Sequence, residues 1–196
     1  MTIDREKYLD AGEVKQFRTV TEAHSIVDLR KGRIKGPLTW MLVDLALSTG
    51  LRVSELVALK IQDIDLKRGS MKVVRLKRKK KKTETMSIGT DLIEHLCEYL
   101  EWDDRTKGPL FVGQRGPLTY RGLQQMWKAA VAAAGLPDEI SIHSARHTLA
   151  VHLLKKTSNL RQVQKQLGHA SPATTANMYA DISFEDMQNG VTGIYD

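Results

Sequence analysis

Between Pro37 and Thr49 the chain carries Trp40, Met41, Val43, Leu45 and Leu47. At 3.6 residues per turn these side chains cover most sides of a helix instead of forming a single stripe. Such a helix must be enclosed, so the segment predicts a buried helix. Further helices are signalled on either side of it. Asp10-Ala-Gly-Glu13 is a capping-box pattern with Val14, Phe17 and Val20 behind it, and predicts a first helix from about Ala11. Asp91-Leu-Ile-Glu94 opens another, carrying Leu92, Leu96, Tyr99 and Leu100, with Cys97 as a small core residue. Thr119 caps a helix through Met126, Trp127, Ala130 and Val131 that ends at Gly135. A short helix is expected from Val53 to Leu59, others near Ser144 to Lys156 and Leu160 to Leu167, and Ser171-Pro172 starts one more.

Two segments break the helical pattern. Met71 to Leu76 and Thr83 to Ile88 alternate or are β-branched, which predicts a hairpin whose turn runs from about Lys77 to Lys82. Asp65 to Ser70 holds a further turn and a short strand, while Pro109 to Val112 is too short to assign. The expected architecture is a single α+β domain over residues 1–196, mainly α with a small antiparallel β-sheet. No run approaches the ~20 apolar residues of a membrane span. The N-terminus lacks the apolar stretch of a secretory signal. A lone cysteine excludes an internal disulfide, which fits a cytoplasmic location.

Charge narrows the choice of partner. A net charge of +7 and a pI near 9.5 favour a polyanion. Lys77, Arg78, Lys79, Lys80, Lys81 and Lys82 are consecutive and lie inside the hairpin, where such a run suits phosphate contacts that do not depend on sequence.

Four further segments carry chemistry. Thr49-Gly50-Leu51-Arg52-Val53-Ser54-Glu55-Leu56 places Arg52 at a turn between two buried helices, with Glu55 and Asp63 near enough in sequence to buttress it. His143-Ser-Ala-Arg146-His147 puts His143 and Arg146 three apart at a helix start, so both can face one way. Leu167-Gly168-His169 leaves a histidine in a loop, and Met178-Tyr179-Ala180 follows. Guanidinium donors match two phosphate oxygens at once. A phenol can attack phosphorus once nearby cations favour its anion, and a histidine or lysine can move the protons. His143 and His147 have the spacing of metal ligands, but Arg146 sets a cation beside them and no HExxH glutamate is present, so no metal site is expected.

These four segments, in this order, resemble the Arg, His-x-x-Arg, Gly-His and Tyr boxes of the tyrosine recombinases, the phage integrase and Xer family. The resemblance runs from about Tyr8 to about Asp186. Tyr179 lies ten positions after His169, where the family more often has nine, and Ser144-Ala145 stands where Asp-Leu is common. The resemblance implies a site-specific DNA recombinase or integrase that cleaves and rejoins strands without metal or other cofactor. Tyr179 would be the nucleophile and form a 3′-phosphotyrosyl link. Arg52, His143, Arg146 and His169 would stabilise the phosphorane. A hairpin lysine would be the general acid; counting back from Ser87-Ile88-Gly89 gives Lys79, with Lys77 and Lys80 as rivals.

The implied partner is double-stranded DNA, bound by a homotetramer that can be monomeric when free. Family members usually carry an N-terminal core-binding domain, and the expectation is that this chain is the catalytic domain without it. The extra residue before Tyr179 is expected to be absorbed between Thr174 and Met178. Ser183 to Gln188 is expected to form a short helix that docks on a neighbour. Two rival readings are a DNA-binding module of the same fold without productive cleavage, and a type IB topoisomerase-like nicking-closing enzyme.

Overall fold

The computed structural model describes the backbone of residues 8–77 and 80–168, and the side chains of those residues outside 76–81. Helix α1 (Ala11–Arg30) starts as the sequence predicts. Asp10 Oδ1 accepts the Glu13 N–H and Glu13 Oε2 accepts the Asp10 N–H, both at 2.8 Å. Helix α2 (Lys35–Thr49) is the buried centre: eleven of its fifteen residues are buried, so no single face is left for solvent. It packs against α1, α4 (Thr90–Asp103), α5 (Tyr120–Ala133) and α6 (Ile142–Thr157). Helix α3 (Val53–Ala58) is short, and α7 (Leu160–Leu167) follows α6.

One charged residue is buried inside this apolar helix. Asp44 is fully enclosed, and accepts hydrogen bonds from Arg18 of α1 and at 2.9 Å from Nδ1 of His95 of α4. A buried carboxylate is tolerated only with such partners, and here they tie three helices together. His95 is thus a packing residue. His152 is another, with Nε2 3.0 Å from the Leu9 carbonyl, and His24 is exposed. Cys97, expected in the core, is half-buried.

The main sheet has strand order β1-β2-β3, all antiparallel, from β1 (Ile64–Asp65), β2 (Ser70–Lys77) and β3 (Lys80–Ser87). The hairpin differs from expectation in its turn. Pairs continue through Arg75↔Lys82 and Leu76↔Lys81 to Lys77↔Lys80, leaving only residues 78 and 79 between the strands. Most of the basic run is therefore strand, not turn. Ladder hydrogen bonds use the backbone and do not stop where side chains become polar, and a two-residue link is the commonest hairpin connection. A second, two-stranded sheet of β4 (Val112–Gly113) and β5 (Gly116–Pro117) is too short to have shown in the pattern.

The core is contiguous across α1 to α6 and the sheet, with a small satellite of Ala150, Val163 and Leu167 holding α7 on α6. Among the described residues no helix is long and apolar enough to cross a membrane. Trp127 is a principal filler of the core. Its ring meets Phe17 edge-on at 5.0 Å, and its Nε1–H donates to the Ile140 carbonyl at 3.0 Å. Trp127→Ala should destabilise the chain by about 3–5 kcal/mol, read as a lower urea midpoint with an unchanged m-value. A loss below about 1 kcal/mol would show that α1 and α5 close over the cavity.

Candidate active site

The ends of α2 and α7 and the first turns of α3 and α6 meet at one place, and arginines hold them. Gly50 ends α2 in the left-handed region at φ 63°, which turns the chain sharply into α3. A Cβ there would also lie 2.7 Å from Leu167 Cδ2, so α7 packs directly on the turn. Arg52 occupies the N-cap of α3 in extended geometry. Its N–H donates to Glu55 Oε2 at 2.9 Å and its Nη1 to Glu55 Oε1 at 3.0 Å. Glu55 is buried, while the Arg52 side chain is 40% exposed and free to meet a ligand.

Arg146 enters the same junction from α6. It is 5% exposed, with Nη1 donating to the Gly50 carbonyl at 2.8 Å and Nη2 to the Leu167 carbonyl at 2.6 Å. These carbonyls lie at the ends of α2 and α7, where helices leave acceptors without intrahelical donors. Burial first, then the like charge of Arg52, pull the Arg146 guanidinium down from its ordinary value to about 9; Glu55 opposes this and Arg75 adds to it. A base whose folded pKa lies below its unfolded one holds its proton less tightly when folded. The charge on Arg146 thus costs stability at every pH below about 9, and the cost fades as pH rises from there towards the ordinary arginine range. An anion placed against Arg52 and Arg146 would relieve that cost.

The structure therefore brings Arg52 and Arg146 together, and Glu55 buttresses Arg52 as the sequence suggests. Asp63 does not. Its Oδ2 accepts the Lys60 N–H at 3.2 Å and caps the 3₁₀ turn Ile61–Asp63. His143 lies in the first turn of α6 and is exposed, whereas Arg146, one turn on, is buried, so the two differ in depth. Lys82 is exposed and contacts Glu84 Oε1 at 3.5 Å. Lys77, Lys80 and Lys81 lie in the strands, but their side chains, together with Arg78, Lys79, His169 and Tyr179, are outside the described residues. So are the 174–178 and 183–188 segments. Among the described residues no three of His, Cys, Asp and Glu group closely enough to hold a metal ion.

Sequence reading missed Arg75. Met71, Val73 and Arg75 are the inward side chains of β2, and Arg75 is 2% exposed. Its Nη1 lies 3.3 Å from both Glu55 oxygens and donates to the Leu167 carbonyl at 3.0 Å, and its Nη2 donates to the Gln166 carbonyl at 3.2 Å. The signal was the period of two, which puts a charged residue at an inward strand position where only a paired one is stable.

Residues 7–186 match the phage integrase family. The chain belongs to that family. It is 39% identical over 140 residues to tyrosine recombinase XerC of Halalkalibacterium halodurans, a match covering 65% of this chain and 45% of that protein. With tyrosine recombinase XerD of Staphylococcus saprophyticus it shares 31% identity over 184 residues, 90% of this chain and 59% of the relative. The chain thus spans about half the length of the curated relatives it matches. Among solved structures, the XerA recombinase superposes with a TM-score of 0.74 at 26% identity, over 93% of this chain and 61% of that one. The Tn1549 transposon integrase in complex with transposon right end DNA gives 0.73 at 19% identity, covering 95% and 65%, a likeness of fold alone. This phage integrase family chain is accordingly mostly helical with a small antiparallel sheet, in the fold of its recombinase relatives.

Inorganic phosphate should bind between Arg52 and Arg146. At a phosphate concentration tenfold above Kd the expected stabilisation is about 1.4 kcal/mol, roughly 3–6 °C in Tm. Phosphate also raises Tm nonspecifically, so the quantity to measure is the excess over Arg52→Gln. Equal increments in the two proteins would remove the anion site.

Proposed function

We propose that this chain is the catalytic domain of a site-specific DNA recombinase, which cleaves and rejoins strands through a 3′-phosphotyrosyl intermediate. The observation that carries the reading is the junction of Arg52 and Arg146. It is a half-exposed guanidinium beside a buried one, two like charges held together where helix ends meet. Family membership, relatives named tyrosine recombinases and a net charge of +7 support the same reading. In the reaction, Arg52 and Arg146 hold the non-bridging oxygens of one phosphodiester. The Tyr179 oxygen attacks phosphorus, the bond to the 5′-oxygen breaks, and Lys79 protonates that oxygen as it leaves. His143 takes the phenolic proton or holds a phosphate oxygen, and His169 donates to the phosphate. Attack by a 5′-hydroxyl from a partner strand reverses the step. One phosphoester replaces another at each stage, so no external energy source is needed.

On this reading the partner is double-stranded DNA and the working form a homotetramer on paired sites, in the cytoplasm. The basic residues from Lys77 to Lys82 extend the phosphate contacts along the duplex. Arg75, in the strand that runs up to this basic segment, is anchored in the interior.

The chemistry is tested with a nicked suicide substrate that traps the covalent adduct. The wild-type chain should form it, and should do so in excess EDTA, because guanidinium groups meet the phosphate charge. Tyr179→Phe should bind the same DNA and form none. Cleavage lost in chelator and restored by magnesium, or an adduct surviving in Tyr179→Phe, would reject the mechanism.

The hairpin lysines should separate chemistry from binding. Lys79→Ala should slow cleavage and be rescued by a 5′-bridging phosphorothioate, whose sulfur leaves without a proton. Lys81→Ala should mainly lower affinity and reduce the salt slope by about one unit. If no lysine variant is rescued, the proton comes from another group.

A further inference from the structure

Arg75 carries more structure than a buried arginine needs. Glu55 would neutralise it, yet its Nη1 and Nη2 also reach the carbonyls of Leu167 and Gln166, the last two residues of α7. Those carbonyls lack intrahelical donors, and a planar guanidinium can serve both from one side. Its Nε lies 3.1 Å from Glu84 Oε2 of β3, a charge contact without hydrogen-bond alignment. The Leu167 carbonyl is shared, since Arg146 Nη2 donates to it at 2.6 Å. Gly168 then leaves the helix at φ 63°, and a Cβ on it would lie 2.4 Å from Arg75 Nε and 2.5 Å from Cζ. The chain's exit from α7 is laid directly on this guanidinium, and the next residue in sequence is His169.

We propose that Arg75 is a positioning residue for strand cleavage. It fixes where the chain leaves α7 relative to Arg52 and Arg146, and so sets the reach of His169 towards the phosphate. The proposal rests on the reading that His169 acts on the scissile phosphate. Arg75 itself touches neither DNA nor the reacting atoms. It acts on main-chain carbonyls, so its loss should displace the groups that follow α7 without removing a phosphate contact. A displacement of about 1 Å in such a group costs on the order of 100-fold in rate.

The test is single-turnover cleavage of the nicked suicide substrate by the full chain, with DNA affinity and circular dichroism measured alongside. Arg75→Met should slow adduct formation by about 100-fold while Kd for the same DNA changes by less than about threefold. In a His169→Gln background, Arg75→Met should slow the reaction by less than about threefold, because two residues acting through one contact are not additive. Arg75→Lys keeps the charge and the buried stem but has one nitrogen. It should fold with the wild-type spectrum and recover only part of the rate, and it gives the same comparison if Arg75→Met does not fold. An unaltered rate in both Arg75 variants, a loss that multiplies in full with His169→Gln, or a loss matched by weakened binding would each overturn the proposal. Failure of the wild-type chain to form any adduct would overturn the functional reading, and this proposal with it. A wild-type adduct beside unaltered rates in both Arg75 variants overturns this proposal alone.

Discussion

One buried carboxylate, that of Glu55, organises the junction. It accepts from the backbone and side chain of Arg52 and lies 3.3 Å from the Arg75 guanidinium. Arg146 stands close enough to feel its charge. Three guanidinium groups thus gather around it, with Glu84 meeting Arg75 from the rim. Burying so many cations is costly, and each is held by hydrogen bonds that use its fork of donors. The surplus of positive charge is directed towards Arg52, the one of the three that is half-exposed. The site is then an anion receptor whose counter-charge is deliberately short.

The same contacts explain how a mostly local, helical chain brings distant residues together. Helix ends expose carbonyls that need donors. Arg146 supplies them to α2 and α7, and Arg75 supplies them to α7 from the sheet. Removing one cation would leave main-chain acceptors unanswered in the interior, while Glu55 keeps a partner in whichever of Arg52 and Arg75 remains. Its parts come from positions 50, 52, 55, 75, 146 and 167, and the core beneath supplies the rigidity that keeps them in place.

Much of this was legible in the sequence, for reasons that differ by element. The α1 start was readable because its cap is a local side-chain pattern, and α2 because burial on all sides leaves a composition signature. Arg52 stood out because a glycine and a helix start bracket it in the sequence. The hairpin tip was misplaced because side-chain polarity was taken to end strands that the backbone ladder continues through Lys77↔Lys80. Asp44 and Arg75 were passed over for a common reason. Each is a charged residue at a position whose periodicity points inward, and its partners, Arg18 and His95 or Glu55, come from elsewhere in the chain. Local patterns show that a charge is buried, but only the tertiary fold shows what answers it.

Both arginines that hold the end of α7 grip it by its main chain. They do not read the side chains there. The side chain at position 166, a glutamine on the helix rim, points its Nε2 at the Ser87 carbonyl 3.4 Å away and takes no part in holding the charges beneath it. Position 168 admits no side chain, because any would occupy the volume of a guanidinium. The junction thereby treats two residues of one helix end differently: it leaves the side chain of one on the rim and excludes any side chain from the other.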